Sequence, residues 1–211
     1  MNQYEGQKYY ANINNVRKIL DQYGVAIIPN VINKNERIEM QNGVWDFFEH
    51  ITKNWKNPIQ RRNFNSWNEI YKLYPAHSML IQYFKIGHCQ ASWNLRQNEK
   101  IANIFAKIWN VDKEELLVSF DGLSFGLPPE LTNKGWFRGN TWYHTDQSYT
   151  NSEFQCVQSW ITARDVKRGD ATLAFMEGSH KYHKEFQERF QINDKKDWYL
   201  LKKGVKDGRF L

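Results

Sequence analysis

His144 and Asp146 stand two residues apart within "TWYHTDQSYT", residues 141–150. Residues two apart on a β-strand project from the same face. An imidazole and a carboxylate so placed can take adjacent corners of one octahedral metal ion. A second His from a distant strand would complete a 2-His-1-carboxylate facial triad, leaving three positions open. Such nitrogen and oxygen donors suit Fe(II), whereas a structural zinc site calls for thiolates. The ordinary alternative is a His hydrogen-bonded in a β core, with Asp146 opening a turn. Tyr143 and Gln147 flank the pair and are candidate substrate contacts; Trp142 reads as a further contact or as core. His50, His77 and His88 have no ligand spacing. Cys89 and Cys156 stand alone, without the spacing of a zinc knuckle or a disulfide framework.

The elements that must position this pair fall into three stretches. "NVRKILDQYG" predicts a short amphipathic helix with Val16, Ile19 and Leu20 on one face and Gly24 as its stop. A brief apolar strand, "VAIIPNVI", follows. A long helix then starts at an Asn cap, Asn33, with Ile38, Trp45, Phe48 and Thr52 at helical spacing. Residues 56–98 are aromatic and irregular, and no order is read from them. "EKIANIFAKIWN" predicts a helix burying Ile101, Ile104, Phe105 and Ile108. After Asp112 the texture turns to β. Strands are expected in "ELLVSFDGLSFGLPPE" (with a turn or bulge at Asp121-Gly122 and two closing prolines), in "NTWYHTDQ", in "FQCVQSWITARDV" and in "ATLAFMEGS". Beyond His180, Tyr182, Phe186 and Phe190 recur every four residues, which is helical, and "NDKKDWYLL" reads as a further helix capped by Asn193 or Asp194. The fold class is therefore α+β, with strands suited to a sandwich or barrel.

This succession resembles the phytanoyl-CoA dioxygenase-like branch of the Fe(II)/2-oxoglutarate oxygenases. The HxD followed by Gln147 is similar to that family's, as are "WITARDV" from Trp160 to Val166, the turn Arg168-Gly169-Asp170 and "EGSHK" from Glu177 to Lys181. "LDQYGVAIIPNVIN" matches the family's opening helix and strand. The resemblance runs from Leu20 to Lys181. It implies a double-stranded β-helix (a jelly roll) with N-terminal helices packed on it, in one domain over 1–211. Residues 1–111 would be mainly helical, 112–180 the β-helix strands, and 181–211 a helical tail. It implies Fe(II) as metal and 2-oxoglutarate with O₂ as cosubstrates, for hydroxylation of a small organic substrate. His144 and Asp146 become two of the iron ligands, and Trp160 a cosubstrate contact, against the core packing that suits any strand Trp.

The family also requires a second metal-binding His on a later strand, then an Arg that forks onto the 2-oxoglutarate carboxylate. Beyond Lys181 the sequence offers His183, Arg189 and Arg209. His180 lies 36 residues after His144, too close to leave room for several intervening strands, so His180 and His183 read as surface or supporting groups. Arg189 falls in a helical pattern, and Arg209 has no His about ten residues before it. Four β segments are about half of an eight-stranded closed sheet. The expectation is a barrel incomplete at the C-terminus, truncated or split, whose open edge a second polypeptide could complete.

With 41% hydrophobic residues and 16% aromatics the 211-residue chain has the material for a core and is not disordered. No apolar run reaches the ~18 residues of a membrane span, and no signal-peptide pattern opens the chain. A cytoplasmic protein with no membrane partner is expected. The net charge of +6 is spread along the chain, with no basic finger or helix. It reads as solvated surface or as suited to an anionic small substrate, rather than as a nucleic-acid stripe. The rival functions are a non-catalytic relic or interaction module that pairs with a second chain, and a basic sandwich that binds nucleic acid or a glycan.

Overall fold

A computed structural model describes residues 6–73, 80–134, 143–167, 170, 172–193, 195–197 and 199–200. The N-terminal part is helical, as the periodicity predicts. Helix α1 (Val16–Tyr23) stops at Gly24, whose left-handed backbone (φ 78°) lets its N–H return to Leu20 O at 2.8 Å. Helix α2 (Lys34–Thr52) begins at Asn33 with a reciprocal capping box. The Glu36 N–H donates to Asn33 Oδ1 at 3.0 Å, and the Asn33 N–H donates to Glu36 Oε2 at 2.6 Å. Helix α3 (Gln90–Arg96) lies in the stretch that the sequence left unordered, and α4 (Glu99–Trp109) ends at a left-handed Asn110.

The main core forms where α2 meets the irregular aromatic segment. Val44 and Phe48 of α2 pack with Ile59, Ile70, Leu73, Ile81, Ile86 and Leu127. Thr52 is fully buried yet satisfied: its hydroxyl donates to Phe48 O at 2.7 Å and accepts the Ile59 N–H at 3.0 Å. Ile38 differs from expectation and is 44% exposed. The N-terminal half of α2 faces the 163–165 segment instead of the core, through Arg37 to Asp165 and Gln41 to Ala163 O. A smaller core joins Val16 of α1 to Ile108 of α4 and to Ala11. On α4 it is Ala106 and Ile108 that are buried, while Ile101, Ile104 and Phe105 are only half-buried. The predicted N-terminal strand is reduced to a single parallel bridge between Tyr10 and Ile27.

Strand pairing among the described residues consists of two antiparallel two-stranded ladders. Strand β1 (Leu80–Ile81) pairs with β2 (Leu123–Ser124), which is all that pairs of "ELLVSFDGLSFGLPPE". Its prolines open a short helix, α5 (Pro129–Thr132), with Pro129 in the first turn, where no N–H is needed. Gly122 precedes β2 because a Cβ there would drive into Ile81 O and lie 2.8 Å from Gln82 Cγ. Strand β3 (His144–Thr145) pairs with β4 (Tyr199–Leu200), His144 opposite Leu200. Residues 199–200 are thus strand where the sequence suggested helix. Helix α6 (His183–Phe190) occupies the predicted place. The described parts of "FQCVQSWITARDV" and "ATLAFMEGS" enter no ladder. The chain is α+β, with little sheet among its described residues and, among the same residues, no helix long and apolar enough to cross a membrane.

The turn at 177–180 fastens the chain back onto its N-terminal segment. Glu177 accepts from the Tyr9 hydroxyl and pairs with Lys8 at 2.6 Å. The Gly178 N–H donates to Tyr23 O at 3.0 Å, and His180 Nε2 meets Asp21 O at 3.1 Å.

Candidate functional site

Strand β3 ends at Thr145, and Asp146 sits in the bend that follows. His144 Nε2 and Asp146 Oδ2 face each other 3.4 Å apart, both partly buried, with Asp146 past the end of the strand and not on its face. Two donors at right angles on one ion, with bonds of about 2.1 Å, stand about 3 Å apart. The pair therefore fits adjacent positions on a single metal with little movement.

Two neighbouring features fix this geometry. Gln158 Nε2 donates to Asp146 Oδ2 at 2.8 Å, holding the carboxylate from the side of the 155–158 segment. The loop after Asp146 is closed by Gln147, whose amide nitrogen donates to Asn151 O at 2.8 Å and Glu153 O at 2.7 Å. Ser148 and Tyr149 are buried beneath it. Helix α6 clamps the same loop from outside: His183 Nε2 donates to Ser148 O at 2.8 Å, and its ring stacks on Tyr149 at 4.3 Å. Phe186 continues the stack at 4.9 Å. Cys156 lies near enough for Asp146 to act on it. Cys156 is an exposed residue; partial desolvation of its sulfur first, then the negative carboxylate, pushes its thiol upward.

The other candidate residues are placed as follows. Gln147 directs its amide nitrogen to the loop carbonyls of Asn151 and Glu153. Tyr143, next to His144, is 38% exposed. Trp160 is 54% exposed and so is not core; no hydrogen bond or ring contact among the described residues ties it to the pair. His180 and His183 each direct Nε2 to a backbone carbonyl. Among the described residues no group of three His, Cys, Asp or Glu side chains could hold a metal. His77, Trp142, Arg168, Gly169 and Arg209 lie outside the described residues. Gln158 was missed by sequence reasoning, because a Gln on an exposed segment gives no sign of a partner twelve residues away.

No family model matches the chain, and no solved structure matches it. The chain is similar to the Ava biosynthesis cluster protein O of Aspergillus versicolor. They are 33% identical over 104 residues, which is 49% of this chain and 32% of that protein. The chain thus matches about a third of that relative's length.

Proposed function

We propose that this chain belongs to an Fe(II)/2-oxoglutarate-dependent oxygenase that hydroxylates a small organic substrate. The observation that carries the reading is the facing pair, His144 Nε2 and Asp146 Oδ2, 3.4 Å apart at the end of a strand. Iron held this way, with 2-oxoglutarate and O₂, supplies oxidation of a substrate C–H bond. His144 and Asp146 would hold two of the three protein-bound positions. On this reading Tyr143 and Gln147 flank the substrate side, and Trp160 is the cosubstrate contact.

The fold that goes with it is a double-stranded β-helix, and the β3–β4 ladder beneath His144 is the support for that. The name of the similar Aspergillus protein, a biosynthesis cluster protein, suits an enzyme acting on a small molecule. A cytoplasmic location belongs to the same reading. The test is succinate formation from 2-oxoglutarate on adding Fe(II). His144→Ala is expected to abolish it, and turnover that survives this substitution would sink the metal assignment.

A second reading, a module that pairs with another polypeptide, is favoured by the exposed apolar residues Leu117, Val118 and Phe120, at 97%, 48% and 57%. On that reading succinate is never formed, and self-association or capture of a partner falls when Leu117 and Phe120 become Ser.

A further inference from the structure

We infer that Gln158 is the positioning residue of the candidate metal pair, holding the Asp146 carboxylate at the rotation in which one oxygen faces His144. This rests on the iron-centre reading given above. A carboxylate on a short stem turns easily, because the terminal torsion of Asp is broad and two-fold. Nothing in β3 stops that turn, since Asp146 lies past the end of the strand. Gln158 supplies the stop. Its Nε2 donates at 2.8 Å to Oδ2, the same oxygen that stands 3.4 Å from His144 Nε2. Among the described residues Asp146 Oδ1 accepts no hydrogen bond, so the contact with Gln158 selects one oxygen over the other.

The chemistry of the residue suits the task. A Lys or Arg at 158 would form an ion pair and compete with a cation for the carboxylate. An amide orients the oxygen while leaving its charge available, the manner in which hydrogen-bonding neighbours tune ligands around metal sites. Gln158 reaches Asp146 from the 155–158 segment, which enters no ladder, so the contact ties two stretches that no backbone pairing joins.

The experiment is a Co(II) titration of the full chain, followed by visible absorption and paired with a thermal melt, for the wild type, Gln158→Met and His144→Ala. Methionine keeps the length of glutamine and removes the N–H. We expect Gln158→Met to weaken Co(II) binding about tenfold, to shift the absorption bands, and to leave the melting midpoint unchanged. His144→Ala is expected to abolish the bands. Wild-type affinity and spectrum in Gln158→Met would overturn the positioning role while leaving the iron-centre reading intact. A loss of affinity accompanied by an equal loss of stability would also overturn it, making Gln158 a structural tie. If the wild type itself gives no Co(II) spectrum, the iron-centre reading fails and this inference fails with it.

Discussion

The Cys156 thiol is a reporter on the candidate site. Its side chain is exposed, yet partial desolvation and the Asp146 carboxylate both push its thiol upward, and a thiol so shifted is a slower nucleophile. In a Cys89→Ser background, iodoacetamide at pH 8 should alkylate Cys156 more slowly than a cysteine in a short peptide. Asp146→Asn should speed the reaction several-fold. Equal rates in the two proteins would remove the carboxylate from the surroundings of Cys156. At this scale the sequence was legible only in proximity: two residues of separation keep His144 and Asp146 neighbours, although Asp146 stands in the bend after β3 and not on the strand. Gln158, the clamp of His183 on Ser148 and the exposure of Trp160 depend on which segments meet, and no local spacing encodes that.

Helices were legible because their signals are contained within them. Asn33 and Glu36 form a capping box, Gly24 ends α1, and the four-residue recurrence of Tyr182, Phe186 and Phe190 marks α6. Strands were not legible in the same way, since alternation says that a segment can pair but not with what. Residues 199–200 illustrate this, because their strand partner is β3, more than fifty residues earlier. The β1–β2 ladder gives a sharp test. Gly122→Ala puts a methyl group into the backbone of Ile81, whereas a Cβ at Gly126 meets nothing within 4 Å. Gly122→Ala should cost about 2 kcal/mol and lower the melting midpoint by about 4–8 °C. Gly126→Ala should move it by no more than about 2 °C. Equal melts for the two variants would remove the close approach of β1 and β2.

The whole molecule is held partly by carboxylates that act across elements. Glu49 of α2 accepts the Arg61 backbone N–H at 2.8 Å and the Arg61 guanidinium at 2.7 Å. Hydrogen bonds from that guanidinium hold its carboxyl below the ordinary glutamate value of 4.5, against the opposing effect of desolvation. Glu36, bonded to the Asn33 backbone and to Lys100, and Glu177, bonded to Lys8 and Tyr9, are lowered likewise. A group depressed in the folded state binds its proton more weakly there than in the unfolded chain. Its stabilisation is full above pH 4.5 and is lost as pH falls through the lower folded value. Glu49 is a third exposed, so solvent screening limits its share to about 1 kcal/mol. Glu49→Gln should melt about 3 °C below the wild type at pH 7, with the gap closing as pH is taken from 5 to 3. A gap that persists at pH 3 would mean that packing, not charge, sets the difference.

The fastening of Glu177 to Tyr9 spans 168 residues of sequence. During synthesis at about 5–20 residues per second, roughly 10–30 s separate the appearance of its two halves. Over that interval α1 can dock on α4 through Val16 and Ile108, but Glu177 and Gly178, which bind the Tyr9 hydroxyl and the Tyr23 carbonyl, have yet to be made. The N-terminal segment therefore spends its first seconds as a half-finished surface, and the order of assembly is written into the distance along the chain between the two sides of that fastening.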